Sequence, residues 1–222
     1  MPKTPLERVT LEGDYVRLVP VRREHIDLLL ATALDEDLWR WTPSGIASRA
    51  DFEAYVDDAL ERWAAGDALP FTTTVRATGE PVGMTRLANI DLANRRAEIG
   101  WTWVGRPWQR TAVNTEAKLL MLAHAFDALG CHRVELKTDV LNTRSRNAIL
   151  RLGAKEEGVL RKHVVTSSGR VRDTMYFSVI DTEWPEVAAT LRARLARGAA
   201  ASGVTSASRE QPGGLDRLEG AR

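Results

Sequence analysis

Three stretches of the chain carry side chains that could do chemistry. Glu98 sits between Ala97 and Ile99 on an alternating pattern, and a carboxylate held among apolar neighbours can accept a proton from a nucleophile. The same residue also reads as a solvent-facing strand glutamate paired with Arg95 or Arg96. Gln109-Arg110-Thr111 directly precedes a helical pattern that opens with Ala112, Val113 and Asn114. The first N–H groups of a helix and its positive dipole end form a seat for an anion such as a diphosphate, and a guanidinium strengthens it. An ordinary capped helix start accounts for the same residues. Asn142 and Ser145 open a further helix, where both types are favoured as caps and can also meet a ligand.

Other reactive residues carry less. His25, His124, His132 and His163 are scattered without metal-ligand spacing, and His124 lies in an apolar helix as a packing residue would. Cys131 is the single cysteine, so no intrachain disulfide and no cysteine-built metal site exists. With no His/Asp pattern beside it, it reads as a buried structural thiol.

The elements that must position these groups follow from periodicity. Tyr15 to Val21 alternates as a strand, and Glu24 to Leu34 is helical up to the acidic turn Asp35-Glu36-Asp37. Ser48 caps a second helix, along which Phe52, Tyr55, Val56, Ala59, Leu60 and Trp63 recur at three- and four-residue spacing. Phe71 to Val75, Pro81 to Ile90 and Ala97 to Val104 are three strands with short turns between them, which predicts an antiparallel meander. Ala112 to Leu129 is the longest helix and stops at Gly130; Arg133 to Val140 alternates strictly; Asn142 to Leu152 is helical up to Gly153. Gly158 to Thr166 and Val171 to Ile180 form a hairpin around Ser167-Ser168-Gly169, and Trp184 to Arg197 is a short helix. The order is β-α-α-β-β-β-α-β-α-β-β. It predicts an α/β fold of the α+β kind, a mostly antiparallel mixed sheet of about seven strands flanked by helices, and it excludes doubly wound and barrel folds.

Composition bounds the function. A net charge of +1 gives no reason to expect nucleic acid or an anionic membrane as partner. The 222 residues, 44% hydrophobic and 27% charged, suit one substantial soluble domain. The N-terminal sequence lacks the apolar core of a signal peptide and no apolar stretch would span a bilayer, so a cytoplasmic protein is expected. The expected layout is an extension over 1–11, one domain over 12–185, a helix over 186–197 and a tail over 198–222. That tail is too poor in large apolar residues to order itself.

The run from Ala97 to Ala154 resembles the coenzyme A-binding half of GNAT acyltransferases, closest to the RimJ/RimL-like branch of ribosomal-protein N-terminal acetyltransferases. The resemblance extends over about residues 12 to 185. It implies acetyl-coenzyme A as donor and no metal. In the family, the strand matching Ala97 to Val104 is bulged and splays from the strand matching Arg133 to Val140. By this resemblance the pantetheine arm would pair with backbone at Trp103 and Val104, although Trp101 and Trp103 also read as plain core. Gln109 to Asn114 would hold the diphosphate, Asn142 the pantetheine amide, Ser145 would lie near the sulfur, and Arg151 matches the family's basic residue. Glu98 matches the frequent general base. Three departures stand out. Arg110 replaces a common glycine, the loop has Ala112 and Asn114 where glycine or alanine is usual, and Ala154 replaces a common phenylalanine.

Acyl transfer to nitrogen needs a neutral amine, and free amines titrate between about 8 and 10.4, so a base or water relay must take a proton. Relatives often protonate the departing thiolate with a tyrosine on the Asn142 helix; that helix has none, which leaves Ser145 or water. The implied acceptor is a primary amine, on a protein N-terminus or a small molecule, and the implied assembly a monomer or homodimer. Two alternatives stay open: a longer acyl donor such as succinyl, and a domain that binds acyl-coenzyme A or a protein without turnover.

Overall fold

The period-two segments pair almost wholly in sequence order. β1 (Leu11–Glu12), β2 (Val16–Pro20), β3 (Leu69–Val75), β4 (Pro81–Asp91), β5 (Arg96–Val104), β6 (Arg133–Asp139), β7 (Lys155–Val165) and β8 (Val171–Ile180) form one sheet, ordered β1-β2-β3-β4-β5-β6-β8-β7. This computed structural model describes residues 6–201, and statements of presence or absence below refer to those. The eighth strand, one more than the pattern suggested, is the two-residue β1, too short to show an alternation.

Every neighbouring pair is antiparallel except β5 and β6. Those two are joined through α3 (Ala112–Ala123), and a chain that crosses a face of the sheet on a helix returns parallel. The parallel pairing is short: Arg96, Ala97 and Glu98 meet Arg133, Val134 and Glu135, and no further pairs follow. Beyond them the two strands diverge.

Helices cover both faces. On one, α3 and α5 (Trp184–Ala201) bury Val113, Ala117, Met121, Leu122 and Leu191 against Leu18, Phe71, Ile99, Leu136 and Phe177. On the other, α1 (His25–Ala33) and α2 (Arg49–Ala64) bury Ile26, Leu29, Phe52 and Val56 with Trp39, Met84 and Trp103. The expected Ser48 cap is present, its side chain accepting from the Asp51 N–H. Glu116, 4% exposed, turns its carboxylate to the β1–β2 turn and accepts from the N–H groups of Asp14, Tyr15 and Val16 at 2.7–2.8 Å. One side chain thereby fastens α3 to the start of the sheet.

Two helix ends differ from the sequence reading. The long helix is α-helical only to Ala123 and continues as a π turn over His124–Ala128, closed by the Leu129 N–H on the His124 carbonyl at 3.0 Å. Within that turn, Phe126 stacks on Trp184 with ring centroids 5.4 Å apart, and Asp127 accepts from the Trp184 indole at 2.9 Å. At the C-terminus α5 runs to Ala201 rather than stopping at Arg197. The remainder of the expected unordered tail lies outside the described residues.

Candidate active site

The site begins where β5 leaves β6. Opposite β4, Gly100 pairs with Arg86 and Trp103 with Met84, so Trp101 and Thr102 together face one residue, a bulge that puts Trp101 at φ 49°. The bulge turns β5 away from β6, and its residues past Glu98 have a partner strand on the β4 side only. A polar chain can hydrogen-bond to an edge of that kind. Gly83 lets β4 follow: a Cβ there would lie 2.1 Å from the Trp103 carbonyl oxygen and 3.0 Å from Val104 Cα. Trp103 is in the core with Trp39 and Phe52, and Trp101 packs against the same cluster, so both tryptophans fulfil their structural reading.

At the far end of β5 the chain reaches α3. Arg110 adopts φ 63°, the left-handed conformation in which glycine is unstrained and an L side chain costs about 1–2 kcal/mol. The loop therefore keeps a glycine-like backbone although glycine is absent. Thr111 is the cap, its hydroxyl accepting from the Val113 N–H and donating to the Trp108 carbonyl at 2.7 Å. Ala112 begins the helix, and the Asn114 side-chain oxygen is buried without a partner. The Gln109 amide donates to the Val104 carbonyl at 2.8 Å and accepts from Arg144 across the gap.

α4 (Thr143–Leu150) stands on the other side of that gap. Asn142 caps it, accepting from the Ser145 N–H at 3.0 Å, and Ser145 is half-buried in its first turn. Arg151 is exposed at the opposite end of α4, its carbonyl accepting from Arg194. Arg151 is therefore apart from the Asn142 end, whereas Gln109 and the Asn142 end face each other through Arg144.

On the α1–α2 side, Glu98 lines a cleft of about 380 Å³ together with Asn89, Asp91, Glu135, Lys137 and Tyr176. Glu98 is 2% exposed. Its Oε2 accepts from Asn89 at 2.7 Å and pairs with the Lys137 ammonium at 2.9 Å, while Oε1 lies beside Gly100. Arg95 instead donates to the Gly130 carbonyl, and Arg96 pairs with Asp91 and Glu135. Neither pairs with Glu98, as the solvent-facing reading expected; Lys137 does. Loops close over the nearby strand ends, with the Ser167 N–H donating to the Pro43 carbonyl at 3.1 Å and Arg172 to the Trp41 carbonyl at 3.3 Å. Cys131 is 3% exposed, and burial pushes its thiol up from the ordinary value, which disfavours the nucleophilic thiolate. Among the described residues no cluster could hold a metal ion, and no helix is long and apolar enough to cross a membrane.

A bulged strand splayed from its parallel neighbour, with a helix N-terminus at one end and a buried carboxylate behind it, matches the expected layout. The family described as Acetyltransferase (GNAT) domain matches residues 16–155. The chain belongs to the GNAT acetyltransferase family. A GCN5-related N-acetyltransferase from Brucella melitensis is 37% identical, with TM-score 0.79 over 87% of this chain and 88% of that one. Mycobacterium smegmatis RimJ in complex with CoA-disulfide is 27% identical, with TM-score 0.71 over 86% of this chain and 95% of its own. YdaF of Bacillus subtilis, provisionally named a ribosomal N-acetyltransferase, is 34% identical over 106 residues, 48% of this chain and 57% of YdaF. Within this GNAT chain the sequence reading missed Lys137, Tyr176 and Asn89. Lys137 was visible only as the outward-facing member of an alternating strand, and the parallel register that sets it beside Glu98 leaves no local signal.

Proposed function

We propose that this GNAT chain is an acetyl-coenzyme A-dependent N-acetyltransferase that moves an acetyl group directly to a primary amine in a ternary complex. The observation that carries the reading is the junction of the splayed β5 edge with the cleft behind Glu98. The donor supplies an activated acetyl carbon. Its pantetheine arm lies along Trp103 and Val104, with Asn142 on its amide and its diphosphate on the Gln109–Asn114 loop. The Gln109 amide then exchanges the Val104 carbonyl for the donor. Arg110 contributes a cation to the diphosphate at the loop's glycine-like turn.

In the transfer the amine nitrogen forms a bond to the acetyl carbon and the carbon–sulfur bond breaks. Glu98 takes the proton that nitrogen must lose, directly or through one water, and the thiolate receives one from Ser145 or from water. Lys137 and Asn89 keep the Glu98 carboxylate oriented through Oε2, leaving Oε1 for the incoming proton. The acceptor is read as a protein N-terminus, in keeping with the relative named a ribosomal N-acetyltransferase. The carboxylates Asp91 and Glu135 at the cleft would receive it as an ammonium.

The test is release of free thiol from acetyl-coenzyme A across peptides with free N-termini and small amines. Turnover is expected with at least one acceptor. Glu98→Gln should lower turnover by about a hundredfold to ten-thousandfold while leaving donor affinity nearly unchanged. Donor binding without turnover on any amine would make the chain a binding module, and a Glu98→Gln variant above half the wild-type rate would leave Glu98 a structural strand residue.

A further inference from the structure

Lys118 is a cation that the transfer chemistry does not use, and its surroundings are unusual. It lies on the inner face of α3, 5% exposed, and forms no ion pair with any described residue. Glu116, two residues before it, is committed to the β1–β2 turn. Glu98 and Arg86 belong to the opposite face of the sheet, where Arg86 meets Asp58 and the Tyr55 carbonyl. The only partners of the Lys118 ammonium are hydroxyls: it donates to Thr102 in a short contact and to Thr85 at 3.4 Å.

Those two threonines are at the bulge. Thr102 is one of the two residues that oppose Thr85, their hydroxyls are 2.7 Å apart, and one donates to the other, which in turn donates to the Gly100 carbonyl, 3.3 Å from Thr102 and 3.4 Å from Thr85. The ammonium therefore heads a hydrogen-bonded chain that ends on the backbone carbonyl where β5 turns off its regular path. Burying an unpaired ammonium costs several kcal/mol, so the site is held against a strong penalty. A methionine would fill the same volume without it. A single amine donor that orders two hydroxyls and a strained backbone supplies what an apolar side chain cannot: a fixed direction for the carbonyls and amides of Gly100 to Val104.

We infer that Lys118 is a positioning residue for the acyl donor, which through Thr102 and Thr85 sets the bulged edge of β5 along which the pantetheine arm pairs. The inference rests on the donor site proposed above. Lys118 touches neither donor nor acceptor, so its removal acts on donor binding and leaves acceptor binding alone.

The experiment is calorimetric titration of coenzyme A into the full chain, as wild type, Lys118→Met, Thr102→Val and the double variant, with steady-state constants for acetyl-coenzyme A and for an acceptor peptide. The dissociation constant of coenzyme A and the KM of acetyl-coenzyme A should rise about tenfold in each single variant, the worth of one hydrogen bond. The acceptor KM should stay within about twofold, and the double variant should be no worse than either single one, because both break the same chain. Thr102→Val preserves volume and decides the matter if Lys118→Met does not fold. A folded variant that keeps wild-type affinity for coenzyme A overturns the role of Lys118, as does a uniform loss in kcat and both KM values. Wild-type protein that binds no coenzyme A overturns the donor site and this inference together.

Discussion

At the scale of single residues, an amine buried without a carboxylate leaves a pH signature. Desolvation pushes Lys118 down to about 7, against about 10.4 in an unfolded chain. Below pH 7 both states hold the proton and the folded protein bears the full penalty. Between about 7 and 10.4 the unfolded chain binds more protons than the folded one, so the penalty fades and stability rises with pH. Wild type should thus gain on Lys118→Met by about 2–3 kcal/mol between pH 7 and 9, at 1.36 kcal/mol per unit. Urea midpoints of the two proteins at pH 6, 7.5 and 9 measure it, and parallel curves would show that the amine titrates as it does in water. Glu98 shows what sequence could and could not give at this scale. Its place between Ala97 and Ile99 left open a proton acceptor or a solvent-facing strand glutamate, and the fold buries it. Its partner Lys137 is 39 residues away and comes beside it only through the β5–β6 register. The adjacent Arg95 and Arg96 were the natural guesses from proximity along the chain, yet the turn sends them to the Gly130 carbonyl and to Asp91.

Among elements, periodicity and stop residues carried the reading a long way. The strand alternations and the helix stops at Gly130 and Gly153 follow from patterns within a few residues. Irregular geometry did not. The π turn at His124–Ala128 has no mark in its own residues, and its side chains meet Trp184, 60 residues on from His124, which takes both the Phe126 ring and the Asp127 carboxylate. The β5 bulge was expected only from the family resemblance, because Trp101 has no local reason to sit at φ 49°. Its partner device, Gly83, is equally silent in sequence. A methyl group there would meet backbone atoms of Trp103 and Val104, which cannot swing aside as a side chain would. Gly83→Ala should cost about 1–3 kcal/mol as overpacking, near 2–10 °C in melting temperature. It should also weaken coenzyme A binding at least tenfold by displacing the donor edge, an estimate from the loss of one or two hydrogen bonds. Gly100→Ala makes the contrast. Its Cβ would meet the end of the Glu98 side chain at 2.9 Å, so turnover should fall while melting temperature changes little. Melting curves and coenzyme A titrations of the two variants check both; equal behaviour would remove the distinction between backbone and side-chain obstruction.

For the whole molecule, one sheet is shared by two cores, and the seam between its halves is the Arg96–Glu98 pairing with Arg133–Glu135. N-terminal to the seam, β1 to β5 pair in chain order, with α1 and α2 inserted between β2 and β3, and C-terminal to it β6 carries the β7–β8 hairpin. Along the backbone of the sheet the two halves meet in only three residue pairs, a short spine, and beneath it they share the core that α3 and α5 cover. The stretch past the spine has backbone amides that face solvent or ligand rather than a strand, and such amides exchange with water through small openings. A donor lying between the halves would add rungs to that spine. Amides of Ile99 to Val104 on the side away from β4 should then exchange about tenfold more slowly when coenzyme A is bound, while amides within β2 and β3 keep their rates. Uniform slowing across the sheet would mean global stabilisation only, and no slowing despite measured binding would place the donor elsewhere. On the proposed donor site, the short spine would make the acyl donor a structural member of the sheet for as long as it stays. Release of spent coenzyme A would then be a loosening of the sheet itself, and substitutions that lengthen the β5–β6 pairing should stiffen the apo protein at the expense of turnover.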